Sequence, residues 1–420
     1  MESYIVTGGR PLQGEIHISG AKNAAVAILP ATIITNAVSV IDNLPNIYDV
    51  NIVLEIMSEL GARIERIGPG SVSIDTRPVN RTDVMHEKAR SMRGSYYFLG
   101  ALMARFREAS VALPGGCNLG PRPIDQHLKM FGLLGCEVAG EYGSVTIRSD
   151  NLHGAHVFFD TVSVGATINA ILTAVTADGL TVLENVAKEP HIVDVANFLN
   201  SAGADIRGAG TDIIKIRGVK SFRGVHYSVV PDQIEAGTYM VAAGATGGRI
   251  RVCDVIPKHL ESILSKLTAV GCSVEEGDDF VTVTAGAQLL PTTVRTMPHP
   301  GFPTDMQPQF ATMLSVAAGT SVIYENIWDS RFKYTEELAK MGANIHVDGR
   351  MAVIAGVSRL YGAEVRCWDL RAGAAMIIAA AMAEGRSVIT GIHHVERGYE
   401  RIVEKLRGVG ADITVSGQPE

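Results

Sequence analysis

One short pattern occurs six times in this chain and constrains its fold more than any other feature. In each copy a helical segment ends in a glycine, which is followed by a small residue and an alternating strand. The glycines are Gly61, Gly135, Gly203, Gly271, Gly342 and Gly410. Glycine suits the position after a helix because it adopts positive φ without strain. Five near-equal intervals between these six glycines predict six structural repeats of about 70 residues.

Each repeat also contains an earlier strand and a second helix. The second helices, such as residues 371–383, are apolar nearly all round, which predicts burial on every side. Polar and apolar residues alternate along the strands, as in residues 15–18, which predicts sheets with one face exposed to solvent. We therefore expect an α/β protein with helices inside and sheets outside.

Six repeats exceed what one core normally organises, so three repeats in each of two domains is the natural division. We expect one domain at 22–231 and a discontinuous one at 1–21 plus 232–420. The first strand would then pair with the last repeats.

Composition excludes several classes of protein. With 46% hydrophobic and 19% charged residues, the 420-residue chain is not disordered. A net charge of −7 without a basic run argues against nucleic-acid binding. The longest apolar run, residues 372–383, is too short to cross a bilayer, so we expect no membrane association. The N-terminus has no leader pattern, so we expect a cytoplasmic location. The five scattered cysteines show no metal-ligand spacing and should be reduced and mostly buried.

A polar residue recurs at the strand-to-helix junction of every repeat. These residues are Lys22, Arg93, Ser163, Asp232, Asp305 and Arg371. A helix start favours anions, so the junctions could converge on an anionic ligand. The alternative is that they cap helices, as Ser163, Asp232 and Asp305 would do well. Capping does not explain why three of these residues are cations, so we expect Lys22, Arg93 and Arg371 to contact an anion.

Two proline-rich loops carry further candidates. Residues 113–125 hold Cys117 and Arg122 among three prolines and three glycines. An exposed Cys117 near Arg122 would have thiolate character and could act as acid, base or nucleophile. The loop at 298–308 delivers Asp305 at a helix start, where it is either a cap or a general base.

Seven ordered motifs resemble one enzyme family. They are Ser-Gly-Ala-Lys-Asn-Ala-Ala at 19–25, Pro-Gly-Gly-Cys at 114–117, Gly-Pro-Arg-Pro-Ile-Asp at 120–125, Val-Ser-Val-Gly-Ala-Thr at 162–167, Phe-Pro-Thr-Asp-Met-Gln at 302–307, Asp-Leu-Arg at 369–371 and Glu-Arg-Gly-Tyr-Glu-Arg at 396–401. Over essentially its whole length the chain resembles the UDP-N-acetylglucosamine 1-carboxyvinyltransferases. The resemblance implies a two-domain inside-out α/β barrel and no metal or organic cofactor.

The implied reaction transfers the enolpyruvyl group of phosphoenolpyruvate to the 3'-hydroxyl of UDP-N-acetylglucosamine and releases phosphate. By this resemblance Cys117 is the general acid and Asp305 the general base. The cations implied for phosphate and carboxylate groups are Lys22, Arg93, Arg122, Arg371 and Arg397; Lys22 and Arg397 also count as catalytic.

The resemblance also implies a set of residues that contact the nucleotide sugar. They are Asn23, Arg122, Pro123, Ile124, Asp125, Gln126, Ser163, Val164, Gly165 and Ile327. Asp305 is implied to bind substrate as well. The chain departs from the family at Thr161, where some members carry a diphosphate-binding lysine, and at Gln126, where others carry an aliphatic residue.

Two other functions compete with this one. The first is 3-phosphoshikimate 1-carboxyvinyltransferase, which shares the fold and donor but lacks the cysteine loop and carries a Lys-Ser motif near its N-terminus. The second is a non-catalytic paralogue that binds the nucleotide sugar. Such a paralogue should have lost Cys117, Asp305 or Arg397, and all three are present.

Overall fold

The chain folds into two compact units. The structure, a computed structural model, describes residues 2–85, 87–112, 123–141 and 143–416, except for the side chains of 88, 91 and 141. The split unit contains residues 2–19 and 231–416. The continuous unit contains the described residues between 20 and 230.

Twelve α-helices form within the described residues. They are α1 Lys22–Thr35, α2 Tyr48–Glu59, α3 Tyr97–Phe106, α4 Asp125–Leu133, α5 Val164–Ala174, α6 Pro190–Ser201, α7 Gln233–Ala245, α8 Glu261–Ala269, α9 Gln307–Leu314, α10 Thr335–Lys340, α11 Leu370–Met382 and α12 Ile402–Gly408. None of these helices has the length and apolar character that crossing a bilayer requires.

The strands are short and number 24 in the described part of the chain. They are β1 Ser3–Thr7, β2 Gln13–His17, β3 Val38–Asp42, β4 Arg63–Gly68, β5 Ser71–Asp75, β6 Asp83–Val84, β7 Glu108–Ala112, β8 Glu137–Glu141, β9 Ser144–Arg148, β10 His156–Phe158, β11 Leu180–Glu184, β12 Asp205–Arg207, β13 Ile213–Arg217, β14 His226–Ser228, β15 Arg249–Cys253, β16 Ser273–Glu276, β17 Phe280–Thr284, β18 Thr293–Arg295, β19 Thr320–Tyr324, β20 Asn344–Asp348, β21 Met351–Ala355, β22 Glu364–Arg366, β23 Arg386–Thr390 and β24 Asp412–Val415.

All six four-stranded sheets share one pairing pattern, a parallel pair followed by two antiparallel pairs. In the continuous unit the strand orders are β14-β3-β5-β4, β6-β7-β9-β8 and β10-β11-β13-β12. In the split unit they are β2-β15-β17-β16, β18-β19-β21-β20 and β22-β23-β1-β24. The identical pairing confirms the predicted sixfold repeat.

Helices fill the interior of each unit. In the continuous unit α1, α3 and α5 pack together, and in the split unit α7, α9 and α11 do so. Residues 166–174 of α5 and 371–381 of α11 are all buried. The strands bury alternate residues, as β5 and β9 do, because their other face meets solvent. The predicted inside-out α/β arrangement is confirmed.

Two finer expectations are also confirmed. All six repeat glycines have positive φ, between 85° at Gly135 and 115° at Gly203. The first strand, β1, pairs antiparallel with both β23 and β24 near the end of the chain. It lies between them in the sheet, so residues from both ends of the sequence complete the split unit.

Candidate functional site

The predicted junction residues all lie at or beside helix starts. They are Lys22 as first residue of α1, Arg93 as first residue of the 3-10 turn before α3, Ser163 as N-cap of α5, Asp232 as N-cap of α7, Asp305 in the 3-10 turn before α9 and Arg371 as second residue of α11. Each unit therefore gathers three of these side chains at equivalent places in its repeats.

The capping alternative is confirmed at two of these positions and wrong at a third. Ser163 Oγ accepts a hydrogen bond from the Ala166 backbone at 3.3 Å. Asp232 Oδ1 likewise accepts backbone bonds in the first turn of α7. Asp305 holds no cap position, because the cap residues there are Pro303 for the 3-10 turn Thr304–Met306 and Met306 for α9.

Two buried arginines hold the Asp305 carboxylate. Arg331 Nη2 donates to Oδ1 at 3.2 Å, and Arg371 Nε donates to Oδ2 at 3.1 Å. The side chain of Asp305 is 30% exposed, whereas those of Arg331 and Arg371 are 2% and 4% exposed. Bonds of this kind between charged groups are short and directional. They fix the orientation of a carboxylate that still reaches solvent.

Part of each guanidinium remains without a partner. Arg331 Nε and Arg371 Nη1 are buried and hydrogen bond to nothing in the described part of the chain. A buried donor without an acceptor costs about 1–3 kcal/mol. An anionic oxygen beside Asp305 would remove that cost.

The start of α11 orients Arg371. Asp369 is the N-cap and accepts the backbone N–H of Arg371 at 2.8 Å. The Arg371 guanidinium also lies 5.3 Å from the ring centre of Tyr399. The Tyr399 hydroxyl is 2.9 Å from the hydroxyl of Thr238 in α7. The segment before α12 and helix α7 therefore both contribute to placing this one cation.

Two other predicted residues of the split unit lie in connecting segments. Arg397 is partly buried between the 3-10 turn Ile392–His394 and α12. The pKa of His394 is lowered first by burial, then by His393 and then by the charge of Arg397. Ile327 lies in the loop after β19, and its backbone N–H donates to Glu325 at 2.9 Å.

In the continuous unit, Lys22 forms an ion pair with a carboxylate of the protein. Its Nζ lies 2.9 Å from Asp49 Oδ2 in the first turn of α2, and the two side chains are 15% and 3% exposed. Lys22 therefore does not need a ligand to offset its position at a helix start. Asn23 follows it as the second residue of α1 and is partly buried.

The structure brings two predicted segments of the continuous unit together, residues 123–126 and 163–165. Gln126 Oε1 accepts the backbone N–H of Asp160 at 3.0 Å, and Gln126 Nε2 donates to Asp160 Oδ2 at 3.1 Å. Gln126 Nε2 also donates to Asp125 Oδ2 at 2.8 Å. Gln126, which stands where other members of the family carry an aliphatic residue, therefore connects the start of α4 by hydrogen bonds to the segment that leads to Ser163. Thr161, the other departure, is exposed in that segment.

His127 packs against the start of α5. A Cβ at Gly165 would lie 2.8 Å from His127 Nε2, so only glycine fits without movement. The His127 ring is buried and lies 5.9 Å from the Tyr96 ring. Burial first, and the charge of Arg93 second, lower the pKa of His127 to about 4. The ring is therefore neutral at pH 7, and its Nδ1 has no partner among the described residues.

Two predicted residues, Cys117 and Arg122, lie outside the described residues. The other four cysteines are free and buried, as expected. Burial raises the pKa of both Cys136 and Cys367 to about 12, so neither thiol is reactive at neutral pH. Across the described ranges, no group of three or more His, Cys, Asp or Glu side chains could hold a metal ion.

Sequence reasoning missed three residues of these clusters, namely Arg331, His127 and Glu325. Arg331 precedes Phe332 and Tyr334, both buried, and a charge among buried aromatics must be paired. That signal could have found it. His127 and Glu325 lie close in sequence to the predicted residues Gln126 and Ile327, but nothing in their spacing separates them from surface residues.

Comparison with known proteins gives consistent matches. Residues 6–406 match the family model for EPSP synthase (3-phosphoshikimate 1-carboxyvinyltransferase). The chain is 54% identical to UDP-N-acetylglucosamine 1-carboxyvinyltransferase 3 of Caldanaerobacter subterraneus, over 98% of this chain and 99% of that one. It is 55% identical to UDP-N-acetylglucosamine 1-carboxyvinyltransferase of Clostridium botulinum, with the same coverage.

Solved structures agree on the fold. The enolpyruvyl transferase NikO of Streptomyces tendae superposes with a TM-score of 0.90 at 26% identity, covering 100% of this chain and 99% of that one. EPSP synthase of Acinetobacter baumannii superposes with a TM-score of 0.77 at 19% identity, covering 99% and 100%. The second likeness supports the fold alone.

Proposed function

The chain belongs to the EPSP synthase family, in the branch of the UDP-N-acetylglucosamine 1-carboxyvinyltransferases, and from this premise we propose that it transfers the enolpyruvyl group of phosphoenolpyruvate to the 3'-hydroxyl of UDP-N-acetylglucosamine. Phosphate is released, and the product is the first committed precursor of peptidoglycan. The observation that carries the proposal is identity of 54–55% to two enzymes of this name over 98% of the chain.

The chemistry requires an acid, a base and cations. The vinyl carbon of phosphoenolpyruvate must gain a proton while C2 is attacked by the sugar hydroxyl. The tetrahedral intermediate then loses phosphate from C2 and the added proton from the methyl carbon. A base must remove the hydroxyl proton, which a carboxylate within hydrogen-bond reach can do.

We assign the base to Asp305. Its carboxylate is partly exposed and is oriented by Arg331 and Arg371, which supports a fixed direction of proton transfer. Those arginines also carry the unsatisfied N–H groups described above, which supports an anionic substrate beside the base. Arginine suits the carboxylate and phosphate oxygens of phosphoenolpyruvate because its fork is planar.

The remaining assignments follow from the family motifs. Cys117 is proposed as the general acid. Lys22, Arg93, Arg122 and Arg397 are proposed to bind phosphate or carboxylate oxygens, and Lys22 and Arg397 also to assist catalysis. The residues proposed for the nucleotide sugar are Asn23, Pro123, Ile124, Asp125, Gln126, Ser163, Val164, Gly165 and Ile327. Contact between residues 123–126 and the segment before Ser163 supports a common ligand for both.

Neither alternative is favoured. An EPSP synthase was the first, and the chain is only 19% identical to the Acinetobacter enzyme against 54–55% to the two sugar-nucleotide enzymes. The non-catalytic paralogue was the second, and its expected losses at Cys117, Asp305 or Arg397 are not present.

A coupled phosphate-release assay tests the proposal. Phosphate should appear only when phosphoenolpyruvate and UDP-N-acetylglucosamine are both present, and Cys117→Ala should lower the rate about 10²- to 10⁴-fold. Shikimate 3-phosphate in place of the nucleotide sugar is the control. Release with that acceptor alone would favour the other carboxyvinyltransferase, and binding of UDP-N-acetylglucosamine without turnover would favour the paralogue.

Location and domain limits belong to the same proposal. Both substrates are phosphorylated anions that do not cross a bilayer unaided, which supports a cytoplasmic enzyme. The boundaries 22–231 and 1–21 plus 232–420 are proposed as those of its working domains.

A further inference from the structure

Glu325 carries a fully buried carboxylate between two segments of the candidate site. It follows β19 directly, and its exposure to solvent is 0%. An ionised carboxylate in such a place is costly unless hydrogen bonds satisfy it. The residues that supply those bonds are therefore held where the carboxylate needs them.

Four donors surround this carboxylate. Oε1 accepts the backbone N–H groups of Ile327 and Trp328 at 2.9 and 3.1 Å and the hydroxyl of Thr296 at 2.9 Å. Oε2 accepts the hydroxyl of Thr304 at 2.9 Å. Two hydroxyls and two amides thus use the capacity of one carboxylate, which accepts about four bonds.

Three of the four donors come from the turn that contains Asp305 and from the loop that leads to Arg331, the partner of Asp305. Thr304 is the first residue of the 3-10 turn that contains Asp305. Ile327 and Trp328 begin the loop that leads to Arg331, which is itself hydrogen-bonded to Asp305. One side chain therefore connects the turn of the proposed base to the loop of that base's own partner.

We propose that Glu325 is a positioning residue, which orients Asp305 through Thr304 and fixes the backbone of Ile327 through its amide. The inference rests on the proposed function, because it concerns the same base and the same nucleotide sugar. The two oxygens have separable consequences. Loss of the Oε2 bond should affect the chemical step, and weakening of the Oε1 bonds should also affect binding of the sugar.

Isosteric variants separate these effects. Thr304→Val removes only the Oε2 bond, so kcat should fall at least tenfold while the Kd for UDP-N-acetylglucosamine stays within twofold. Thr304→Ser keeps the hydroxyl and should return kcat to within twofold of wild type. Glu325→Gln replaces charge-assisted bonds by weaker neutral ones, so it should lower kcat and also raise that Kd at least threefold.

The control is Thr312→Val in α9. Thr312 is fully buried, whereas Thr304 is partly buried, and the Thr312 hydroxyl donates to the Pro308 carbonyl, so this variant reports an upper limit for the cost of losing a hydroxyl elsewhere in the unit. Its kcat and Kd should stay within twofold of wild type. A Thr304→Val enzyme that matches this control, or a Thr304→Ser enzyme as slow as Thr304→Val, would overturn the positioning role.

Amide hydrogen exchange tests the same inference without turnover. Glu325→Gln should speed exchange at residues 304–306 and 327–328, whereas Thr304→Val should speed it at 304–306 alone. Unchanged exchange at both segments in Glu325→Gln would defeat the positioning role. A wild-type chain that releases no phosphate would defeat the proposed function and leave the exchange result to decide about Glu325.

Discussion

At the scale of single residues, Asp305 has the strongest assignment because both of its oxygens are occupied by buried guanidinium groups. Asp305→Asn keeps the shape of the side chain and removes the base. We expect kcat to fall by about 10² to 10⁴ with little change in the affinity for UDP-N-acetylglucosamine. Steady-state kinetics together with titration calorimetry measure both quantities.

Asp232→Asn is the matched control for that variant. Asp232 occupies the equivalent place in another repeat of the same unit, where it caps α7. Asparagine caps about as well as aspartate, so turnover should stay within twofold of wild type. If Asp305→Asn also turned over within a few fold of wild type, Asp305 would not be the base.

His127 should make the stability of the protein depend on pH. Its pKa in the folded state is about 4, below the ordinary value of 6.5, so the unfolded chain binds its proton first as pH falls. The stabilisation is complete above pH 6.5 and is lost as pH falls toward 4. The loss should reach about 3 kcal/mol. His127→Gln has no such proton, so the gap in unfolding free energy between wild type and variant should shrink by that amount between pH 7.5 and pH 4.

Urea unfolding at the two pH values checks this expectation. His153→Gln is the control, because His153 is an exposed histidine of the same unit. That substitution should leave the acid-induced loss as it is in wild type. Equal losses in wild type and His127→Gln would show that burial of this ring is not what makes the protein acid-sensitive.

The residue scale also marks where sequence reasoning ends. The positions of Asp305 and Arg371 at helix starts followed from the repeat, but their bond to each other did not. Arg331 lies 26 positions from Asp305 in sequence and reaches it only through the loop after β19. For Lys22 the dipole argument pointed to a ligand, yet Asp49 in a different helix supplies the anion. Which polar groups meet depends on packing that local patterns do not encode.

At the scale of elements, close packing of α3 against α5 depends on a glycine. A Cβ at Gly100 would lie 2.9 Å from the backbone oxygen of Asn169 and 2.9 Å from Leu172 Cβ. Gly100→Ala should therefore destabilise the protein by about 1–3 kcal/mol, although alanine is the better helix former. Unfolding by denaturant measures the change.

Gly132→Ala is the matched control in the same unit. Gly132 lies in α4, and a Cβ there would meet nothing within 4 Å. This substitution should stabilise the protein by up to about 1 kcal/mol because only helix propensity changes. Similar effects of the two variants would contradict a role for close helix packing at Gly100.

The helices and turns were more predictable from the sequence than the pairing of the strands. Apolar periodicity and the glycine after each helix predicted the buried helices and the turns, because both signals are local. The sheet pairing could not be predicted in the same way. β2 pairs with β15 and β14 with β3, and in each case most of a unit separates the two strands in sequence.

At the scale of the whole molecule, the split unit depends on its first strand. Deleting residues 2–8 removes β1 from between β23 and β24 and leaves both with unpaired edges. Hydrogen exchange should become faster in residues 386–415 by at least tenfold, while residues 24–110 of the continuous unit keep their protection. Mass spectrometry of peptides from both regions measures this. Unchanged protection of β23 and β24 would contradict the dependence.

The central position of β1 sets an order for synthesis on the ribosome. The residues of the continuous unit leave the ribosome together and can fold once residue 230 has emerged. Strand β1 leaves before the continuous unit but must wait for β23 and β24, which are made after it. Strand β1 therefore waits for its partners throughout the synthesis of the continuous unit, and a chain released before β23 and β24 are made cannot complete the unit that carries Asp305.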